Sequence, residues 1–161
     1  MNLILKYVLA YFILFINFGS LYIVFEGLFN RISMGGIIEA KLKNSKRCYF
    51  IYSSIWMFLV GGLSAIFINL IYQIPLIHDL NIFIICIWGS IVITGLELLA
   101  GIILKKLNAI AWDYSSSKIK IFGKIITLNF KGYIDVWHSL GWYFITIPLC
   151  LYSDLIFKLL K

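Results

Sequence analysis

The chain has 161 residues, of which 62% are hydrophobic and 13% are charged, and its mean hydropathy is +0.97. Soluble domains are roughly half apolar and about one quarter charged, and a small soluble domain has too little interior to bury so much apolar surface. This composition excludes a soluble globular domain and a disordered chain. We attribute the net charge of +7 to membrane topology and to affinity for anionic headgroups, and not to nucleic-acid binding.

Four stretches of the sequence are long and apolar enough to cross a hydrocarbon core about 30 Å thick as helices of about 20 residues. In chain order they are 3–29, 49–72, 82–104 and 136–157. They predict an all-α fold, a polytopic integral membrane helical bundle of about four transmembrane helices, with residues 1–161 forming a single transmembrane domain. The alternative is three spans and a re-entrant or interfacial last stretch, which would move the C-terminus to the other side of the membrane.

The connections between these stretches differ sharply in charge. Loop 30–48 holds five basic residues and loop 105–135 holds six, whereas the short connection 73–81 has no Lys or Arg. Because basic residues gather on the cytoplasmic side of spanning helices, this pattern predicts that both basic loops are cytoplasmic and both termini lie outside. Within the second loop, the segment KIKIFGKIITL at 118–128 leaves open a hairpin, a re-entrant piece or an interfacial amphipathic helix.

Two clear cases of a carboxylate inside a predicted span are Glu26 and Glu97, and each costs at least about 2.5 kcal/mol there unless it finds a partner or water. Glu26 lies about one turn from the inner end of the first span, and Glu97 about two turns from the inner end of the third. Since these spans run in the same direction, both carboxylates are predicted at a similar depth. Ser90, Thr94, Glu97 and Gly101 fall on one helical stripe, which favours a polar site between helices. The alternative for either glutamate is a side chain that extends to the interface near a helix end.

Other polar residues fit structural roles. Asp135 and His138 are one helical turn apart and are able to pair, as are Asp154 and Lys158 at a spacing of four. Asn17 lies in the middle of a span, where an amide more often bonds a neighbouring helix than a substrate. None of these residues indicates a metal site or a catalytic group.

The run Trp112-Asp113-Tyr114-Ser115 follows the third span on the predicted cytoplasmic side. Trp and Tyr prefer the headgroup zone of a bilayer, where an apolar ring and a polar tip both find suitable surroundings. By itself the run therefore predicts an aromatic anchor, with a turn at Asp113 and Ser115.

Together with the span before it, this run forms the segment 94–123, TGLELLAGIILKKLNAIAWDYSSSKIKIFG, which resembles the ABC-transporter type IV membrane family, found mostly in Gram-positive bacteria. The residues that match the family pattern are Glu97, Gly101, Trp112, Asp113, Tyr114, Ser115 and Gly123. A glutamate late in the first span, here Glu26, is similar to another family feature. Where the family has Pro and Asn soon after WDYS, this chain has Lys118 and Lys120. The resemblance implies a multi-pass protein of the bacterial cytoplasmic membrane that takes part in transport.

The sequence contains no P-loop, G-x-S-x-G or H-E-x-x-H motif, so ATP hydrolysis and familiar hydrolase catalysis by this chain are not expected, and no metal or cofactor is predicted. We favour a transporter or permease-like component whose polar site contains Glu26, Thr94, Glu97 and the run 112–115. Such a component would form a homo-oligomer or join other membrane subunits, with a separate ATPase among them if it is ABC-like, and would not bind nucleic acid.

Two other functions stay open. The first is a non-transporting accessory or immunity-type protein that binds another membrane protein. The small size of the chain, its glycine-rich helix faces and its basic cytoplasmic surface are typical of such a protein. The second of these functions is an enzyme that acts on lipid headgroups, with Asp113 and Glu97 as acid–base groups near the interface.

Overall fold

The computed structural model describes residues 2–34, 47–48, 53–108, 112–115, 118–122 and 124–160. Four long helices dominate it: α1 (Leu3–Met34), α2 (Ile55–Tyr72), α3 (Ile82–Lys106) and α4 (Val136–Leu160). Each contains a stretch long and apolar enough to cross a membrane. The predicted all-α membrane bundle is therefore confirmed.

The helix bounds differ from the predicted ones where the loops begin. Helix α1 continues to Met34, and α2 begins at Ile55, several residues later than the apolar run beginning near 49. The residues just before α2 form strand β2 (Ser53–Ser54), which pairs antiparallel with strand β1 (Arg47–Cys48). Hydropathy does not distinguish apolar residues in a helix from apolar residues in a strand. The predicted span therefore began too early and included this strand.

The connection between α2 and α3 is a tight turn that contains a one-turn helix, Pro75–His78. Proline is favoured in a first helical turn because its missing N–H would have no partner there. Asn81 then caps α3, since its side chain accepts a hydrogen bond from the backbone N–H of Phe83 at 2.9 Å. At the other end of α3, Lys105 and Lys106 lie in the last turn, where positive charge is favoured by the helix dipole.

The loop between α3 and α4 contains two small antiparallel sheets. Strands β3 (Lys118–Ile121) and β4 (Lys124–Thr127) form a hairpin, and β5 (Asn129–Phe130) pairs with β6 (Ile134–Asp135) just before α4. Of the three conformations that the sequence left open for 118–128, the structure contains the hairpin. A short sheet of this kind depends on cross-strand pairing, which periodicity does not specify.

The four helices pack in chain order around the bundle, with each long helix antiparallel to the next. Between α1 and α2, aromatic side chains of one helix lie on glycines of the other, and an added Cβ at Gly62 would meet the ring of Phe15 at 2.6 Å. Between α3 and α4, Gly89 lies against Thr146, where an added Cβ would be 2.8 Å from the Thr146 Cβ. Small residues allow this close approach of membrane helices. The antiparallel order places the end of α3 near Glu97 at the same end of the bundle as both basic loops.

The opposite end of the bundle is tied together around Asp154 of α4. Its carboxylate accepts a hydrogen bond from the Tyr72 hydroxyl at 2.8 Å and lies 3.3 Å from Nε2 of His78. The described contacts of Asp154 thus join α4 to α2 and to the turn after it, not to Lys158 on its own helix. Nearby, the Asn17 amide donates to the Tyr152 hydroxyl at 2.7 Å, which links α1 to α4 as expected for an amide within a span.

Candidate functional site

Glu97 is fully buried at the centre of the basic-loop end of the bundle. Its Oε1 accepts hydrogen bonds from the hydroxyls of Tyr22, at 2.8 Å, and Tyr114, at 3.3 Å. Its Oε2 accepts one from the indole Nε1 of Trp142, at 3.1 Å. The three donors belong to α1, to the loop after α3 and to α4, so one carboxyl joins four segments of the chain. We call these four residues the Glu97 centre.

The aromatic rings of the Glu97 centre are fixed by packing. Tyr22 and Trp142 stack with their ring centroids 4.4 Å apart and their planes 21° from parallel. Gly61 of α2 lies against the base of the Tyr22 side chain, because a Cβ at that position would lie 2.7 Å from the Tyr22 Cγ. Rings held in this way keep both donors directed at the carboxyl, which lowers the cost of burying it.

The run 112–115 divides into two buried and two exposed residues. Trp112 and Tyr114 are buried, whereas Asp113 and Ser115 are exposed. The Trp112 indole donates to the backbone carbonyl of Tyr133 at 2.8 Å, and the Tyr114 backbone N–H donates to the carbonyl of Gly132 at 2.9 Å. The run is therefore docked on the turn between β5 and β6, and it directs Tyr114 into the bundle.

That docking requires a glycine at 132. Gly132 has φ of +76°, and an added Cβ would lie 2.8 Å from Oδ1 of Asp113. The same Oδ1 accepts the backbone N–H of Ser115 at 2.8 Å, which closes a turn of the Asx type. Asp113 is thus engaged in shaping the loop, and the contact of this loop with Glu97 is made by Tyr114.

A buried Asp–His pair lies directly beside Tyr114. Asp135 caps α4: its Oδ1 accepts the backbone N–H of His138 at 2.8 Å, while its Oδ2 lies 2.7 Å from the His138 Nδ1. The His138 ring stacks on the Tyr114 ring with centroids 4.1 Å apart. Burial alone would raise the pKa of the Asp135 carboxyl, but its hydrogen bonds and the charge of His138 outweigh that effect and bring the pKa below its usual 3.8.

We expect this pair to make stability fall in acid. A carboxyl whose pKa is lowered by folding stabilises the native state above its unfolded pKa, and it loses that contribution as the pH falls through the lower folded value. Thermal unfolding in detergent should therefore show a loss that begins below about pH 4 and is absent from Asp135→Asn. Because asparagine is also a good helix cap, this substitution removes the charge and keeps the capping acceptor.

The matched control for this experiment is Asp79→Asn, which removes a carboxylate whose side chain is 86% exposed. Its acid profile should follow that of the wild type. An Asp135→Asn profile that falls with acid as steeply as the wild type would contradict the assigned role of the pair.

A second set of hydrogen bonds ties α3 to the beginning of α4. The Ser90 hydroxyl donates to the Ser139 carbonyl at 2.6 Å, and the Thr94 hydroxyl donates to the Ser139 Oγ at 3.0 Å. Ser139 in turn donates to the Asp135 carbonyl at 2.8 Å. On the same side of α3, Gly101 lies against the Tyr133 ring. The stripe of α3 that carries Glu97 thus faces α4 and the β5–β6 turn.

The structure brings some of the predicted site residues together and separates others. Glu97 and Tyr114 are in direct contact, and Thr94 lies on the same helix stripe, bonded to α4. Trp112 is buried and orients the loop, while Asp113 and Ser115 are exposed. Helix α1 places position 26 one turn beyond Tyr22, but the Glu26 side chain lies outside the part that the structure describes, so its meeting with Glu97 stays a prediction.

Four residues outside the predicted site set take part in its geometry: Tyr22, Trp142, Asp135 and His138. The spacing of two of these residues in the sequence relates them to other polar residues on the same helix. Tyr22 lies one turn before Glu26, and Trp142 lies one turn after His138, so each pair shares a helix face. The sequence does not reveal that these two faces turn toward Glu97, because that depends on how each helix is rotated about its own axis.

An open groove of about 520 Å³ runs between α1 and α4 and reaches Tyr22. Apolar residues such as Phe18 and Ile145 line most of it, with Asn17 and Ser20 as polar members. The Tyr22 hydroxyl contacts Glu97, so only the Tyr22 side chain separates the groove from the buried carboxyl. Within the described residues, no cluster of three or more His, Cys, Asp or Glu side chains is arranged to hold a metal ion.

Comparisons with protein-family models, with curated proteins and with solved structures found no match to this chain.

Proposed function

We propose that this protein is a membrane transport component in which the Glu97 centre binds and releases a proton as part of the transport cycle. The observation that carries the proposal is a fully buried glutamate inside a membrane bundle, contacted from three other segments by hydrogen-bond donors. Intramembrane carboxylates are costly, and they recur where ions or protons are moved.

The arrangement suits reversible proton binding. Two of the three donors are hydroxyls, and a tyrosine hydroxyl donates to a carboxylate or accepts from a carboxylic acid by rotating its hydrogen. The Glu97 centre therefore satisfies both protonation states without moving a helix. The groove beside Tyr22 gives the centre a neighbouring binding space open toward the membrane.

The proposal includes partners and a membrane side. The described interior is packed with side chains, so a pathway would be formed between this chain and another copy or another membrane subunit. In accord with the resemblance to the ABC-transporter type IV membrane family, a separate ATPase is proposed as one such subunit. The two basic loops are proposed to face the cytoplasm of a bacterial cell, with the chain as a multi-pass protein of its cytoplasmic membrane.

Proton movement is tested directly in proteoliposomes. With internal pyranine and a potential set by potassium and valinomycin, the wild-type protein is expected to acidify the lumen faster than protein-free liposomes. Glu97→Gln should reduce the rate of acidification to that of protein-free liposomes, because a glutamine side chain does not bind and release a proton as the carboxyl of Glu97 is proposed to do. Asp79→Asn, a carboxylate change in the exposed turn, should leave the rate unchanged.

A second variant separates chemistry from folding. Tyr22→Phe keeps the ring that stacks on Trp142 and removes only the hydroxyl, so it should fold normally and show an altered pH dependence of proton uptake. Wild-type uptake no faster than in empty liposomes, or full uptake by a folded Glu97→Gln protein, would overturn the proposed function.

The accessory-protein alternative is favoured by a different observation. Aromatic and threonine side chains lie on glycines of the facing helix between α1 and α2 and between α3 and α4, and such close packing is what a rigid scaffold for another membrane protein requires. A stoichiometric membrane partner retained in mild detergent, together with no proton uptake, would support this function over transport.

A further inference from the structure

Strand β4 of the β3–β4 hairpin is exposed on both of its faces. All four residues of β4, Lys124–Thr127, are exposed, and Phe122 at the turn is fully exposed. Ile125 is 69% exposed and Ile126 is 44% exposed. Because successive residues of a strand point to opposite faces, neither face of β4 is covered by the helical bundle.

An uncovered hairpin of this kind is not self-sufficient. Two strands alone are at best marginally stable in water, since they bury too little apolar surface. The β3–β4 register pairs Lys118 with Thr127 and Ile121 with Lys124, which gives a sheet of only four residue pairs. Its exposed Phe and Ile side chains therefore require a neighbouring phase or surface that accepts apolar groups.

The charge of the loop indicates which surface that is. Residues 105–135 contain six lysines and two aspartates, and one of those aspartates, Asp135, is buried and paired. Lys118 and Lys124 lie on the hairpin and are exposed. Lys131, the residue directly after β5, has its ammonium group 5.5 Å from the centroid of the exposed Phe130 ring. Aromatic and aliphatic side chains interspersed with lysines match an interface of acyl chains and anionic headgroups.

The position of the hairpin in the fold agrees with that match. The loop leaves α3 after Lys106 and enters α4 at Val136, so it is tethered at the ends of two spanning helices. Because the loop begins and ends at spanning helices, its lysines are tethered to the membrane surface, and the potential of anionic lipid acts within about 10 Å of that surface. A soluble partner would have to compete with a surface that is present at all times.

We propose that the hairpin 118–127 is a docking element that lies within the headgroup zone of anionic phospholipid, with lipid on both of its faces. Phe122, Ile125 and Ile126 then contact the apolar part of the interface, and Lys118 and Lys124 contact phosphates. Docking stabilises the short sheet within this zone and holds the loop that carries Tyr114. This inference is independent of proton transport, because it concerns the lipid contact of the loop and not the chemistry of Glu97.

Hydrogen exchange of the full chain in nanodiscs, with one copy per disc, tests the proposal. Backbone amides of 118–127 should exchange more slowly in discs containing phosphatidylglycerol than in discs of phosphatidylcholine alone. Lys118→Gln and Lys124→Gln should each reduce the difference by about fivefold, as expected for one lysine at an anionic surface. Phe122→Ser should speed exchange in both kinds of disc.

Lys158→Gln provides the matched control, because Lys158 lies in the last turn of α4 at the opposite end of the bundle. It should leave hairpin exchange unchanged. Equal exchange in the two lipids would overturn the proposal, as would lysine variants that behave like the wild type. Protection that appears only when two copies share a disc would assign the surface to a second copy and would overturn lipid docking.

Discussion

Replacing Glu97 by alanine is expected to lower the free energy of unfolding by about 3–5 kcal/mol. The substitution leaves a cavity in a closely packed region and removes one acceptor from each of Tyr22, Tyr114 and Trp142. Because those donors are buried, water does not readily replace the lost carboxylate. The helices α1, α3 and α4 and the loop 112–115 all lose a shared contact, so the loss should appear as a single cooperative change.

Two further variants make this result specific. Glu97→Gln keeps the volume and one acceptor but directs an amide N–H toward a donor, so its cost should be smaller, about 1–3 kcal/mol. Asp79→Asn, in the exposed turn, should change stability by less than about 0.5 kcal/mol. Equilibrium unfolding in mixed micelles, followed by far-ultraviolet circular dichroism, measures all three. A Glu97→Ala protein as stable as the wild type would show that the Glu97 centre does not hold the bundle together.

Gly89→Ala is expected to be the second strongly destabilising change, costing at least about 1–3 kcal/mol although it adds only one methyl group. The new Cβ would overlap the Oγ1 and Cγ2 atoms of Thr146 and lie 2.8 Å from its Cβ. Thr146 is fully buried and its hydroxyl donates to the Trp142 carbonyl, so it has little freedom to turn away. Relief would require α3 and α4 to separate, which would draw Trp142 away from Glu97.

The same helix offers a matched control. Gly95 has no atom within 4 Å of an added Cβ, so Gly95→Ala should be neutral or should stabilise α3 by up to about 1 kcal/mol, since alanine is the better helix former. The double variant Gly89→Ala with Thr146→Ala tests the same contact. Its loss of unfolding free energy should be smaller than the sum of the losses for the two single changes. Equal stability of the Gly89→Ala and Gly95→Ala proteins would contradict the close contact between α3 and α4.

Part of the Glu97 centre was predictable because one buried charge is conspicuous in an apolar helix. The stripe of Ser90, Thr94 and Glu97 follows from helical spacing alone, and the structure places it against α4. The partners of Glu97 were less accessible to prediction, because they come from positions 75 residues before it and 45 residues after it in the chain. The run 112–115 drew attention through its composition, yet only docking onto Gly132 separates buried Tyr114 from exposed Asp113.

By itself, the sequence determined that the surroundings of this protein are a lipid bilayer and that four long helices cross it. A chain that is 62% hydrophobic must bury its backbone polar groups within helices in the bilayer, and span length follows from bilayer thickness. Tertiary structure alone decided which faces meet. Rotating a helix about its axis leaves its hydropathy unchanged, but it replaces every neighbour of Gly89 and every donor to Glu97. The conformation of 118–128 was likewise decided by strand pairing, since a Lys–Ile alternation is compatible with several structures until its register is set.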